Sequence, residues 1–319
     1  MRIVQCVPNI SEGRNLEKIH HIIEPLMNQE GFKLISYEPD QDYNRTVITL
    51  LGDPEKMIIP LITFFERAIQ KIDMNVHKGE HPRMGAVDVV PFIPIQGISM
   101  EECIEYAKSL ADHVSIMHHI PVFLYAKAAQ VKERESLPEI RKGEFEGMKE
   151  KIQEPMWKPD YGLPMIHPTF GAVAIGARMP LIAFNIDLET DDEKVANQLA
   201  KVIRQSSGGF QFIQAGPAML KERGHVQVTM NILDYKKNPI YRILETIKME
   251  IKRYGVSVTS SEIVGLLPKE AITDSLKYYF ACDKIPFDSK MGLDDLTKHA
   301  IHYLKFRDFS PLKIIEAYV

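Results

Sequence analysis

Short runs of apolar and β-branched residues alternate with helix-like segments throughout this chain of 319 residues. The run from 3 to 7 is typical of a strand, and the segment after it repeats apolar residues with a period of about 3.6. Each half contains two such helices among several strands, some joined by hairpin-length connections. The sequence therefore predicts an α+β fold, an α/β sandwich of two ferredoxin-like β-α-β subdomains with mixed sheets and helices on the outside.

Composition and length narrow the class of protein. Hydrophobic residues make up 45% of the chain and charged residues 26%, as in globular proteins, and the length predicts two subdomains of about 150 residues each. A net charge of −4 argues against a nucleic-acid partner.

Cys6, Cys103 and Cys282 are too scattered for a disulfide framework. No run reaches the ~20 apolar residues of a membrane span, and no signal peptide is evident, so we expect a cytoplasmic protein without a membrane partner.

The stretch from His77 to Gly85 is the strongest candidate for a reactive site. It holds two histidines, a carboxylate, two cations, two glycines and a proline, and an apolar run from Val87 to Pro94 follows it. Polar side chains on a loop beside a strand are typical of functional sites. His81 is a candidate general acid/base, because the unperturbed imidazole pKa is about 6.5. A histidine that merely hydrogen-bonds within a turn is an equally weighted alternative.

The same stretch contains a literal zinc-peptidase pattern, H-x-x-E-H, in His77, Glu80 and His81. That chemistry needs a helix, which brings histidines four residues apart onto one face. Gly79 lowers the helix propensity, and Pro82 disfavours the α conformation at the residue before it. The sequence therefore predicts a loop here, and we expect no metal.

Several motifs resemble those of the glutamate formimidoyltransferase family. The resemblance covers residues 3 to about 282 and keeps one motif order. The matching stretches are CVPNISEG at 6–13, NRT at 44–46, KGEHPRMGAVD at 78–88, PFIP at 91–94, GAR at 176–178, AFN at 183–185 and VGLLP at 264–268.

This resemblance implies a reaction, a catalytic residue and a domain division. The family moves the formimidoyl group of N-formimidoyl-L-glutamate to N5 of tetrahydrofolate, its co-substrate, in histidine degradation. Its catalytic histidine corresponds to His81, and its subdomain boundary falls near residue 178, which divides the chain into 1–178 and 179–319. The resemblance also implies a homodimer. The chain ends with the transferase domain, so we expect no fused cyclodeaminase domain.

The folate-binding segment of the family corresponds to ten consecutive residues of this chain. His167 and Phe170 depart from the vertebrate pattern, which makes the location of the segment a firmer expectation than its individual contacts. The ten residues are Gly162, Leu163, Pro164, Met165, Ile166, His167, Pro168, Thr169, Phe170 and Gly171.

The substrates of that reaction bring several carboxylates, and arginines in loops are the natural side chains to bind them. The candidates are Arg14, Arg45, Arg83 and Arg178. For each one, a structural or surface ion pair is an equally weighted alternative. The acid that would orient His81 also stays open, since Asp40, Asp42 and Glu80 all lie in the relevant stretches.

Two other functions remain compatible with the sequence. A glutamate formyltransferase would use N-formyl-L-glutamate, which differs from the formimidoyl donor by one atom, O for NH. A protein of another class would bind folate without catalysing a reaction.

Overall fold

The computed structural model describes residues 2–220 and 223–318. Residues 1, 221, 222 and 319 fall within the predicted subdomains but lie outside the described residues. The chain divides into two compact units between Arg178 and Met179. We describe each unit by itself.

The first unit is built around one twisted arrangement of strands with helices packed against them. Its strands are β1 (Ile3–Cys6), β2 (Asn9–Ile10), β3 (Phe32–Asp40), β4 (Arg45–Gly52), β5 (Val87–Gln96), β6 (Val122–Ala126) and β7 (Val173–Ala177). Its α-helices are α1 (Leu16–Ile23), α2 (Pro54–Lys71), α3 (Met100–His118), α4 (Leu137–Arg141) and α5 (Glu144–Lys151).

The strand order of this sheet includes the ferredoxin-like arrangement that the sequence predicts. Strands β1 and β2 lie end to end between β4 and β5, and β3 pairs with the other edge of β4, all antiparallel. The elements from β1 to β5 thus follow a βαββαβ order, with strands arranged as in a ferredoxin-like fold. Strands β7 and β6 then extend the sheet in parallel beyond β5.

Helix starts in this unit follow the local sequence. The Asp53 carboxylate accepts a hydrogen bond from Glu55 N, and Pro54 occupies the first turn of α2. Ser99 and Glu102 form a capping box at the start of α3. Both helices then bury an apolar stripe, which for α2 includes Phe64 and Phe65. The resulting core lies on one face of the sheet, under α1, α2 and α3.

Helices α4 and α5 cover part of the opposite face. Ile140 of α4 and Met148 of α5 are fully buried, and they belong to the same apolar cluster as Phe123 and Tyr125 of β6. This second layer is relevant to the site, because Arg141 at the end of α4 lies close enough to His81 to affect its pKa.

The second unit repeats the βαββαβ order. Its strands are β8 (Ile182–Leu188), β9 (Ile213–Leu220), β10 (His225–Ile232) and β11 (Val258–Val264), and its α-helices are α6 (Glu193–Ile203), α7 (Ile240–Glu250), α8 (Lys269–Cys282) and α9 (Leu293–Leu304). The sheet order is β11-β8-β10-β9, and every pairing is antiparallel. The predicted α+β class is confirmed, with a mixed sheet in the first unit and an antiparallel sheet in the second.

Among the residues that the structure describes, no helix combines the length and the apolar character needed to cross a bilayer.

Candidate active site

Residues 77–85 form an irregular loop between α2 and β5, as the sequence predicts. Two glycines allow the loop to pack closely against neighbouring backbone. A Cβ atom at Gly79 would lie 2.3 Å from the carbonyl oxygen of Tyr43, and one at Gly85 would lie 2.0 Å from that of Ala172. Any larger residue at these positions would push the loop away from the backbone of Tyr43 and Ala172.

His77, the first residue of the zinc-peptidase pattern, uses both ring nitrogens within the protein. Its Nε2 donates to the carbonyl oxygen of Asn44 at 3.0 Å, and its Nδ1 accepts from Arg83 Nε at 3.3 Å. Burial lowers the pKa of His77, which keeps this tautomer neutral. In residues 2–220 and 223–318, no three His, Cys, Asp or Glu side chains come together as a metal site would need.

His81 is half-buried beside a guanidinium. Nη1 of Arg45 donates to Nε2 of His81 at 2.6 Å, and the ring of Tyr43 lies with its centroid 6.0 Å from that of His81. Burial and the adjacent positive charge of Arg45 lower the pKa of His81 to about 4, with a smaller contribution from Arg141. The imidazole is therefore neutral near pH 7, and its proton is on Nδ1 because Nε2 accepts.

A β-bulge brings an acid into this cluster. Ile10 pairs with Val87 and Asn9 pairs with Val89, so Asp88 is the extra residue of β5. Its carboxylate accepts from Met84 N at 2.8 Å and forms an ion pair with Arg141. The Asp88 side chain is only 3% exposed, so the Arg141 charge compensates a carboxylate that would otherwise be costly to bury.

Sequence reasoning missed both Asp88 and Arg141. The one available signal was an acid at the second position of a strongly apolar strand, since a buried carboxylate requires a partner. Of the acids considered from sequence, Asp40 acts on His81 by raising its pKa, as Asp88 does, against the larger effects of burial and Arg45. Asp42 accepts the Glu80 backbone N–H through its carbonyl oxygen at 3.3 Å.

Arg83 is held by two glutamates of α5. Its guanidinium donates to Glu144 at 2.6 Å and to both carboxylate oxygens of Glu146 at 2.8 and 2.9 Å. The Arg83 side chain is 8% exposed, and the hydrogen bond to Glu146 is the largest cause that raises its pKa. These contacts tie the loop of His81 to α5.

The remaining two predicted arginines have other hydrogen-bond partners in the unit. Nε of Arg14 donates to the carbonyl oxygen of Gln41 at 2.8 Å on the surface. Backbone N of Arg178 donates to Phe92 O at 3.1 Å, and its side chain hydrogen-bonds to the buried Tyr125 hydroxyl. Of the four arginines predicted from sequence, the structure places Arg45 against His81.

The predicted folate segment divides into two parts with different surroundings. Residues 162–165 are exposed, with Leu163 at 70% and Met165 at 63%. Residues 170 and 171 are buried, and Phe170 packs against Phe65 with ring centroids 5.9 Å apart. His167 lies between these parts, where its Nδ1 accepts from the Phe170 backbone N–H at 3.1 Å.

The buried end of this segment is joined to the loop of His81. Gly171 forms an antiparallel bridge with Gly85. Ala86 N donates to Phe170 O at 2.8 Å, and Ala172 N donates to Met84 O at 3.0 Å. The two stretches identified from sequence are therefore neighbours in the first unit, although about 80 residues separate them.

The fold and the site define an α+β enzyme of two ferredoxin-like units, with a half-buried histidine–arginine pair at a loop of the first unit. Comparison with protein families identifies the family of this enzyme. A model of the formiminotransferase domain, N-terminal subdomain, matches residues 3–178, and a model of the formiminotransferase domain matches residues 183–319. The chain belongs to the formiminotransferase family and is a transferase, which confirms the resemblance in its motifs.

Relatives from bacteria, archaea and animals share most of the chain. A glutamate formimidoyltransferase of Streptococcus pyogenes serotype M1 is 43% identical over 290 residues, which cover 91% of this chain and 97% of the relative. One of Thermoplasma acidophilum is 42% identical, covering 88% of this chain and 92% of the relative. A formimidoyltransferase-cyclodeaminase of Rattus norvegicus is 38% identical, covering 89% of this chain and 53% of the relative.

Proposed function

We propose that this enzyme transfers the formimidoyl group of N-formimidoyl-L-glutamate to N5 of tetrahydrofolate, with His81 as general acid and base. The products are 5-formimidoyltetrahydrofolate and L-glutamate. The names of the S. pyogenes and T. acidophilum relatives support the donor. The observation that carries the proposal is the contact between Arg45 and His81, which holds a neutral imidazole beside a cation.

The chemistry requires one proton to leave and another to arrive. N5 of tetrahydrofolate attacks the amidine carbon and must lose its proton as the new C–N bond forms. The bond from that carbon to the glutamate nitrogen then breaks, and this nitrogen must gain a proton. One imidazole within reach of both nitrogens performs both transfers, which contributes a factor of about 10²–10⁴ to the rate.

Arg45 couples donor binding to the basicity of His81. In the free protein the Arg45 N–H occupies the Nε2 lone pair, and burial together with the Arg45 charge lowers the pKa of His81 to about 4. A donor carboxylate that accepts the Arg45 N–H frees Nε2 and neutralises the nearby charge. The pKa of His81 then rises towards the range in which a general base works well.

The two parts of the folate segment take different roles in this proposal. The exposed residues 162–165 contact the folate, and residues 167–171 set the position of that contact relative to His81. The joining of Gly171 to Gly85 supports this division.

Arg83 positions the loop through α5, whereas Arg14 and Arg178 stay predictions as carboxylate ligands. The homodimer, the cytoplasmic location and the absence of metal, nucleic-acid, membrane and cyclodeaminase partners also stay predictions.

A donor assay tests the proposed function. Purified protein is mixed with tetrahydrofolate and either N-formimidoyl-L-glutamate or N-formyl-L-glutamate, and the folate product is followed by absorbance. We expect turnover of the formimidoyl donor at a higher kcat/KM than the formyl donor. Turnover of N-formyl-L-glutamate alone would contradict the proposal, and a His81→Gln preparation shows whether a contaminating enzyme contributes.

A further inference from the structure

The geometry points to Arg141 and Arg45 as a paired-guanidinium subsite for the α-carboxylate of the donor, which makes Arg141 a determinant of donor specificity. This inference rests on the proposed function and adds a residue that the sequence motifs do not identify. It also assigns this subsite to the α-carboxylate of the donor rather than to the other carboxylates of the two substrates.

Arg141 is the last residue of α4 and is held firmly in place. Its side chain is 13% exposed, and Nη2 pairs with Asp88. Lys151 fixes the end of the helix, since its Nζ donates to the carbonyl oxygens of Ile140 at 2.9 Å and Lys142 at 3.1 Å. A guanidinium anchored in this way is preorganised, which reduces the entropy lost when a ligand binds.

Both guanidiniums have a buried N–H group without a protein partner. Nε of Arg45 and Nε of Arg141 are each buried and make no hydrogen bond in the described protein. Buried polar groups are nearly always satisfied, so two orphans in one cluster call for a missing acceptor. Nε of Arg134 is also unpartnered, but that guanidinium donates to two carbonyl oxygens and pairs with Asp160.

The unpartnered N–H groups belong to two guanidiniums, which favours an anion as the missing acceptor. Arg45 and Arg141 are close enough that Arg141, after burial, lowers the pKa of Arg45. Asp88 is already engaged by Arg141 and by Met84 N, and His81 is neutral. Asp40 also acts on Arg45 through its charge, while its side chain accepts from Tyr43 N at 2.9 Å. Neither carboxylate accepts from the two Nε–H groups. A guanidinium makes its stronger hydrogen bonds to an anion, so a carboxylate fits the missing acceptor.

The placement beside His81 selects the α-carboxylate. In N-formimidoyl-L-glutamate the α-carboxylate is attached to the same carbon as the nitrogen that leaves, whereas the γ-carboxylate lies further along the chain. Arg45 touches Nε2 of His81 at 2.6 Å. A carboxylate bound between Arg45 and Arg141 therefore brings the leaving nitrogen within reach of the imidazole that must protonate it.

Two donors that differ only in this carboxylate test the inference. N-formimidoyl-4-aminobutyrate keeps the γ-carboxylate and lacks the α-carboxylate. We expect the wild type to prefer the glutamate donor, as measured by the ratio of kcat/KM values. In Arg141→Gln we expect that ratio to fall at least about tenfold, and in Arg141→Lys to fall less, because lysine keeps the charge but not the planar fork.

If the role of Arg141 is only structural, the ratio of kcat/KM values for the two donors should not change. If it only pairs with Asp88, both donors lose the same factor and the ratio stays at the wild-type value, which would overturn the inference. Arg242→Gln removes an arginine in the second unit that donates to Lys237 O, and it serves as the matched control. If Arg141→Gln does not fold, Arg141→Lys decides by the same ratio, since it keeps the charge opposite Asp88.

Calorimetric measurement of the binding of both donors distinguishes a failure of the proposed function from a failure of the Arg45–Arg141 subsite. A wild type that prefers the glutamate donor in binding, but transfers no formimidoyl group, contradicts the proposed function alone. A wild type that binds both donors with equal affinity contradicts the subsite.

Discussion

Nη1 of Arg45 donates to Nε2 of His81 across 2.6 Å, so the imidazole accepts its hydrogen bond from a side chain that is always charged. A cation at this position opposes protonation of the ring. Burial and this contact together lower the pKa of His81 to about 4, so the histidine is neutral at physiological pH.

Replacement of Arg45 should raise the pKa of His81. In Arg45→Gln we expect a value above the wild-type value of about 4 and still below 6.5, because the charge is removed and the burial remains. Titration of the labelled imidazole by NMR measures it directly. Arg14→Gln is the matched control, since Arg14 contacts Gln41 rather than His81. An unchanged pKa in Arg45→Gln would show that burial alone sets it.

Folding should depend on pH through His81. Its pKa of about 4 in the folded protein lies below the unfolded value of about 6.5. Between these values the unfolded chain binds a proton that the folded chain does not, so this contribution is complete above pH 6.5 and is lost as pH falls towards 4. The urea midpoint of the wild type should therefore fall relative to that of His81→Gln as pH falls through this window. Parallel midpoints across the window would contradict the depressed pKa.

Arg83 should matter for stability. Arg83→Met leaves Glu144 and Glu146 without their partner and removes three charge-assisted hydrogen bonds. We expect a loss of about 1–3 kcal/mol at pH 7, measured by urea denaturation. The loss should shrink in acid, because Arg83 lowers the pKa of Glu146 and its contribution disappears once that carboxylate is protonated. An equal loss in Arg14→Met would point to net charge instead.

The two parts of the folate segment should respond differently to substitution. Leu163→Ser changes a side chain that is 70% exposed, so we expect a higher KM for tetrahydrofolate and a stability within about 0.5 kcal/mol of wild type. Phe170→Ala removes a fully buried ring, and we expect a loss of about 3–5 kcal/mol. A stable Phe170→Ala protein with a raised KM would place that ring in the binding surface instead.

The alternation of strands and helices was sufficient to predict two ferredoxin-like units, because most of the longer strands and helices follow from local periodicity. The parallel addition of β7 and β6 was not predictable in this way. Its partners are set by contacts between β5, β6 and β7, and periodicity shows that a strand is buried without showing which strand lies beside it.

The same limit applies to the site. His81 stands out because Gly79, Pro82 and the surrounding charges mark a loop. Asp88 and Arg141 did not stand out, because 53 residues separate the two partners. The sequence assigns Arg83 and Arg45 the same expected role as carboxylate ligands, and it does not show that Arg83 pairs with Glu144 and Glu146 of α5.

We propose His81 as the residue that transfers the protons in formimidoyl transfer. The most direct measurement is the steady-state rate of 5-formimidoyltetrahydrofolate formation by wild type and His81→Gln under saturating donor and tetrahydrofolate. We expect kcat to be lower by a factor of about 10²–10⁴ in the variant, with both substrates still bound. A variant that keeps the wild-type kcat would contradict it.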